Sequence, residues 1–189
     1  MAFLTRDFFA RDTVTVAQDL IGTTLVAGLC AGRIIETEAY TTDAASHAAK
    51  RTNRSALMYE TYGYVYVYMT YGMYYCLNFT CERDGIGAVL IRAIEPVRGI
   101  EEMQKRRVTD DFKKLASGPG RLSQAFAIEL SFNGRPIGQD LKLRERQTLP
   151  QISASPRIGI SKATELEWRF FEKGNPFISP SKFNQSAQL

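Results

Sequence analysis

Apolar residues recur at a helical interval at the start of the chain. Between Leu4 and Gly22, Phe8 and Phe9 are followed by Val14, Val16, Ala17, Leu20 and Ile21, with Gly22 placed to stop the run. Two short helices are predicted there. From Thr23 to Tyr40 the pattern changes: Leu25, Val26, Leu29, Ile34 and Ile35 flank Cys30-Ala31-Gly32, turn chemistry between two strand-forming runs, which predicts a hairpin. Residues 41–56 lose periodicity and are rich in small and polar types, so they read as a long loop, a feature that in compact domains often carries function. Next, Tyr64 to Asn78 alternate as strand, turn at Tyr71-Gly72, and strand. A turn at 81–87 leads into Ala88 to Ile94, an apolar strand interrupted by Arg92 and closed by Pro96. Val97 to Arg107 has helical spacing, Ser117-Gly118-Pro119-Gly120 precedes a capped helix over 121–128 with backbone amides suited to a phosphate, and 157–160 and 168–171 predict two short strands. Helices mixed with hairpin-joined strands imply one α+β domain spanning 1–189.

Composition narrows the class. With 189 residues, 44% of them hydrophobic, the chain can bury one good core. A net charge of +4 mildly favours anionic partners such as a phosphate backbone, although the basic stretches 105–114 and 142–146 read first as solvated faces. Cys30, Cys76 and Cys81 are odd in number, and the sole histidine, His47, lies far from them in sequence. Neither a disulfide framework nor a zinc module follows, and a reducing compartment is expected. The charged N-terminus and the absence of about 18 consecutive apolar residues argue against a signal peptide or membrane span, so a cytoplasmic protein is expected.

Eight of the nine tyrosines fall between Tyr59 and Tyr75. Tyrosine is a flat apolar ring with a polar tip, so this density builds a surface able to stack on a nucleic-acid base. The plainer reading is a half-exposed sheet face with ordinary cross-strand aromatic pairs. Alternation places Tyr64, Tyr66 and Tyr68 together and projects Tyr71 from the hairpin tip, where it can act as a wedge; on the return strand Tyr74, Cys76 and Asn78 share a face, so Asn78 can line one cavity with Tyr68. In Arg33 to Tyr40, alternation puts Glu36, Glu38 and Tyr40 on one face and Ile35, Thr37 and Ala39 on the other. Two carboxylates beside a ring can be tuned for acid–base work; the plainer reading is the solvated face of an edge strand. Arg92 inside an apolar strand must be paired, and Glu36, Glu38 or a phosphate would satisfy it. A lone histidine such as His47 is more often a stacking or hydrogen-bonded residue than a metal ligand.

These residues also carry a resemblance. Ile35-Glu36-Thr37-Glu38-Ala39-Tyr40, Ser46-His47-Ala48, the run Tyr66 to Asn78, Val89-Leu90-Ile91-Arg92-Ala93 and Ser117 to Leu122 are similar, in order and spacing from about Leu4 to Pro176, to the alkyladenine (methylpurine) DNA glycosylase family. The segment Lys50 to Ser55 follows the family's basic stretch only loosely. The resemblance implies a compact mixed domain with a curved antiparallel sheet and a protruding β-hairpin, similar to the methionyl-tRNA formyltransferase C-terminal domain and without a helix-hairpin-helix. It further implies a monofunctional base-excision enzyme that flips a damaged purine from double-stranded DNA and hydrolyses its glycosidic bond, without metal, cofactor or obligate protein partner. By position Glu38 matches the general base and Arg92 a residue near the attacking water and the target phosphate. Tyr40, His47 and Tyr68 match the rings around the flipped base, Asn78 the pocket residue that crowds guanine's exocyclic amine, and Tyr71 the wedge. A non-catalytic DNA-binding module built on the tyrosine hairpin is the rival expectation, as is a hydrolase of free nucleosides; a pure binder has no need of Glu38 in a stacking pocket.

Overall fold

A computed structural model describes residues 2–184. The first predicted helix is a 3-10 turn, Arg6–Ala10; the second is α1, Thr13–Leu20, capped by Asp12, whose carboxylate accepts from the Thr15 amide. Strands β1 (Thr24–Ala27) and β2 (Cys30–Tyr40) form the expected hairpin, but it reverses at Gly28 and Leu29, earlier than the cysteine, because Gly28 takes the left-handed φ of +54° that the turn requires. Strands β3 (Val65–Thr70) and β4 (Tyr74–Cys81) are the tyrosine hairpin. They are followed by β5 (Gly87–Arg98), β6 (Leu141–Arg144), β7 (Ile152–Ser155) and β8 (Arg169–Glu172). All pairings are antiparallel, and the curled sheet runs β3-β4-β5-β2-β1-β6, with β8 also pairing β2 and β7.

Four boundaries differ from expectation. Strand β5 continues through Pro96 instead of ending there. Pro96 lies opposite Gly32 at a register shift, an irregular position where its missing N–H removes no ladder bond, and any side chain on Gly32 would collide with Ile94 and the Glu95 carbonyl. Consequently the helix predicted from Val97 begins only after Gly99, as α3 (Ile100–Arg107). The strand placed at 157–160 is instead β7, at Ile152–Ser155; Pro156 ends it, and 157–160 forms an irregular segment under the sheet's central strand. The helix expected over 121–128 runs from Pro119 to Ala125 (α4), with proline at its first position, where the lost N–H costs nothing. The long loop holds a single 3-10 turn, His47–Ala49, before the short helix α2 (Ala56–Glu60).

The two faces of the sheet have different tasks. One carries the main core, where Val65, Val67, Leu77, Phe79, Val89, Ile91 and Ile34 pack with Val16, Ala17 and Leu20 of α1 and Leu122 and Ala125 of α4. On the other face a small cluster of Ala48, Met58, Tyr66 and Ala88, flanked by Tyr40, Tyr59 and Tyr68, is roofed by the 41–60 segment. Alternation along β3 therefore sends valines to the core and tyrosines under the roof, as the sequence pattern predicts.

Candidate active site

Glu36 and Glu38 stand on the most heavily paired strand of the sheet, not on an edge. One side of β2 runs along β5, and the other is shared between β1 and β8. Both carboxylates are fully buried, so the solvated-edge reading is overturned. The register shifts around Glu36, and Ile35 packs with Ala93 and Phe177 in a separate small cluster instead of sharing the main core with Ala39. A bulge of this kind re-aims side chains next to a site.

Arg92 enters from β5, buried, between the two acids. Its Nη1 is 3.3 Å from Glu38 Oε1 and its Nε 3.5 Å from Glu36 Oε1. The latter is an ion pair without a hydrogen bond, and Nε–H has no hydrogen-bond partner. Glu36 is otherwise saturated: Arg169 Nε donates to Oε1 at 2.6 Å and the Ser179 amide to Oε2 at 2.6 Å. Arg169 in turn donates to Ser155 Oγ at 2.9 Å and Asn184 Oδ1 at 2.8 Å. Glu38 accepts the Ile158 amide on Oε1 and the Tyr40 hydroxyl on Oε2, each at 2.7 Å. Burial pushes the Glu38 carboxyl above the ordinary 4.5, against the opposing pull of Arg92, the Ile158 amide and Tyr40. Burial and the adjacent Glu38 charge push the Tyr40 phenol far up, so it remains a donor.

Beside this cluster lies a cavity of about 100 Å3 lined by Tyr40, Ala45, Ser46, His47, Met58, Tyr66, Tyr68, Asn78 and Ala88. The structure thus gathers Tyr40, His47, Tyr68 and Asn78 around one space, with Glu38 hydrogen-bonded to one of its walls. His47 and Tyr68 meet edge to face at 4.6 Å, too close to hold a base between them, so they form a single wall. The Tyr66 hydroxyl fixes the imidazole through Nδ1 at 2.9 Å. Burial and the Arg54 charge lower the proton affinity of His47 below the usual 6.5, which keeps the ring neutral at pH 7. Asn78 spends its amide hydrogens on the Tyr66 and Cys76 carbonyls, at 3.0 and 3.2 Å, leaving its own oxygen as the group it can offer to the cavity.

Tyr71 is not part of the cavity. It sits at the tip of the β3–β4 hairpin, 86% exposed, with a left-handed φ of +50° that non-glycine residues rarely adopt. Exposed Met69 and Met73 flank it. The residues not anticipated from sequence are Met58, Asp43, Ile158, Arg157 and Arg169. Arg169 had the same signal as Arg92, a charge inside the apolar run Trp168-Arg169-Phe170-Phe171; an isolated arginine after Pro156 had none.

A buried carboxylate thus lies one hydrogen bond from a small aromatic cavity, and comparison with known proteins gives the class. Residues 7–176 match the family model described as methylpurine-DNA glycosylase. The chain belongs to that family. Methylpurine-DNA glycosylases are repair hydrolases that cleave N-glycosyl bonds in DNA, and this protein is an enzyme of that class. Relatives named "Putative 3-methyladenine DNA glycosylase" include one from Rhodopseudomonas palustris strain CGA009, 46% identical over 180 residues, which cover 93% of this chain and 87% of the relative. Another, from Rhizobium meliloti, is 46% identical over 176 residues, covering 92% and 94%. A third, from Prosthecochloris aestuarii, is 45% identical over 191 residues, covering 95% and 92%. Among the described residues of this glycosylase no helix is long and apolar enough to cross a membrane.

Proposed function

We propose that the protein excises alkylated and deaminated purines, of the 3-methyladenine, 7-methylguanine, hypoxanthine and ethenoadenine class, from double-stranded DNA, using water activated by Glu38. The observation that carries this reading is the Glu38 carboxylate itself. It is fully buried, its proton affinity is raised, and it is joined through Tyr40 to a small aromatic cavity.

The flipped purine stacks between Tyr40 on one side and the His47–Tyr68 wall on the other. Asn78, tied to strand backbone on two bonds, cannot retreat from a purine carrying an exocyclic amine at the crowded edge. As the C1′–N9 bond breaks, its electron pair leaves with the base and the sugar becomes oxocarbenium-like. Glu38 stabilises that charge and takes a proton from the water that bonds to C1′. Arg92, ion-paired with Glu38 through Nη1, holds that carboxylate in place for the water. No lysine lines the cavity, so the products are the free base and an abasic site, without a Schiff-base step. Tyr71 fills the vacated stack, offsetting the few kcal/mol of unstacking.

The test is Glu38→Gln, which keeps the shape and removes the base. Release of hypoxanthine or 3-methyladenine from duplex DNA is expected to stop while binding to the same duplex persists. Release at the parent rate would sink the mechanism.

A further inference from the structure

Arg157 has no part in the steps above, yet it is among the most completely buried charges in the molecule, with no exposed side-chain surface. It makes three kinds of contact, to Tyr40 of the cavity wall and to backbone and side-chain groups beside the cavity. Its guanidinium lies against the Tyr40 ring, 4.6 Å from the centroid, and 5.4 Å from the Trp168 centroid. Its Nη1 donates to the Ala39 carbonyl at 2.9 Å, gripping β2 between Glu38 and Tyr40. The two terminal nitrogens fork onto Asp43, at 2.6 and 3.1 Å. Asp43 also accepts the Ala45 and Thr41 amides at 3.0 and 3.3 Å, which shapes the loop that carries Ala45, Ser46 and His47 to the cavity. Finally, the next residue in the chain, Ile158, gives Glu38 its backbone hydrogen bond.

We propose that Arg157 is a positioning residue for excision. It locks the Tyr40 stacking wall, the loop ahead of His47 and the Ile158 amide into one rigid piece, and so fixes the distance between a stacked base and the Glu38 carboxylate. This inference rests on the reading of Glu38 as general base. A buried cation is expensive unless matched, and here one Asp43 carboxylate and one carbonyl match it while Nε stays unpartnered. Such a cost is more than covering one ring face would require, since an apolar side chain would do that alone. The planar fork explains arginine in particular: a guanidinium can sit over the Tyr40 ring while its nitrogens donate to Asp43 and Ala39.

The role makes a prediction that simple structural support does not. Glu38 is faced by Arg92 from β5, by Glu36 and Tyr40 on its own strand, by Arg169 from β8, by Tyr68 and Cys76 from the hairpin, and by the Ile158 amide; of these, the amide and the Tyr40 hydroxyl are the contacts that Arg157 controls. Arg157→Lys keeps the charge but loses the fork, so the amide drifts from Glu38 and the carboxyl gains proton affinity.

The experiment is single-turnover excision of hypoxanthine across pH by the full-length parent, Arg157→Lys, Asp43→Asn and Glu38→Gln proteins, with melting temperature recorded for each. Arg157→Lys is expected to lower the maximal rate on the order of tenfold to 100-fold, the usual cost of a misplaced reacting group, and to move the acid limb of the pH profile upward. Asp43→Asn, which keeps the Ala39 bond and the Tyr40 contact, is expected to move both in the same direction by less; it decides the matter if Arg157→Lys does not fold. A folded Arg157→Lys protein with the parent rate and parent acid limb, differing only in melting temperature, would overturn the proposal, as would an Asp43→Asn protein with both unchanged. Excision by Glu38→Gln would instead overturn the general-base reading on which it stands.

Discussion

At the scale of single residues, the site is governed by how burial is offset. Glu38 is buried without a strong guanidinium hydrogen bond of its own, since the nearer arginine bond goes to Glu36, and its carboxyl is left above the ordinary value. A general base must be ionised to work, so activity is present above that raised value and lost as pH falls through it. The single-turnover rate should therefore titrate with an acid limb lying above 4.5, and a limb at or below 4.5 counts against Glu38 as the base. Sequence pattern reached this pair because the period of a strand is simple: Glu36, Glu38 and Tyr40 face one way, and Arg92 stands out in an apolar run. It could not reach the Ile158 amide, which arrives from 120 residues away and has no side-chain signature. Nor could it separate buried from solvated acids, because the neighbours that cover β2 come from β5 and β8, far along the chain.

At the scale of elements, the tyrosine hairpin divides into a packed base and a free tip. Tyr66 and Tyr68 are held under the 41–60 roof, whereas the turn holds Tyr71 and Gly72 at φ of +50° and +67°, closed by a Met73 amide to Thr70 carbonyl bond at 3.2 Å. The left-handed conformation costs a non-glycine residue about 1 kcal/mol or more, and strain of this kind persists where the side chain is needed. Tyr71→Gly is accordingly expected to leave the melting temperature unchanged or raise it. Excision from duplex DNA should fall about tenfold or more, because the few kcal/mol of unstacking is no longer offset. A single-stranded substrate, which needs no unstacking, should show a much smaller loss. Equal losses on both substrates would deny Tyr71 the wedge role. This division was legible in the alternation of valine and tyrosine and in the Tyr-Gly turn. The ends of other elements were not, since the register shift that lets β5 run through Pro96 opposite Gly32, and the contacts of Arg157 with Tyr40 and Asp43, join segments distant in the chain.

At the scale of the whole molecule, the site is tied to the last stretch of the described chain, residues 155–184. Arg169 on β8 joins Glu36 to Ser155 and Asn184, and the Ser179 amide closes the same carboxylate. Removing one partner of a buried ion pair leaves an uncompensated charge, so Arg169→Met is expected to cost about 3–5 kcal/mol in denaturant unfolding. A loss below about 1 kcal/mol would show the pair to be energetically idle. The architecture also separates two kinds of change. Glu38 and Arg92, the groups proposed to act on the bond, belong to β2 and β5, the most heavily paired strands of the sheet. By contrast Ala45, Ser46, His47 and Met58, which bound the space a base would enter, hang from the 41–60 roof. Substitutions in the roof can therefore reshape one side of the cavity without disturbing the strands that hold Glu38 and Arg92, whereas the side built by Tyr40, Tyr66, Tyr68, Asn78 and Ala88 is set by the sheet itself.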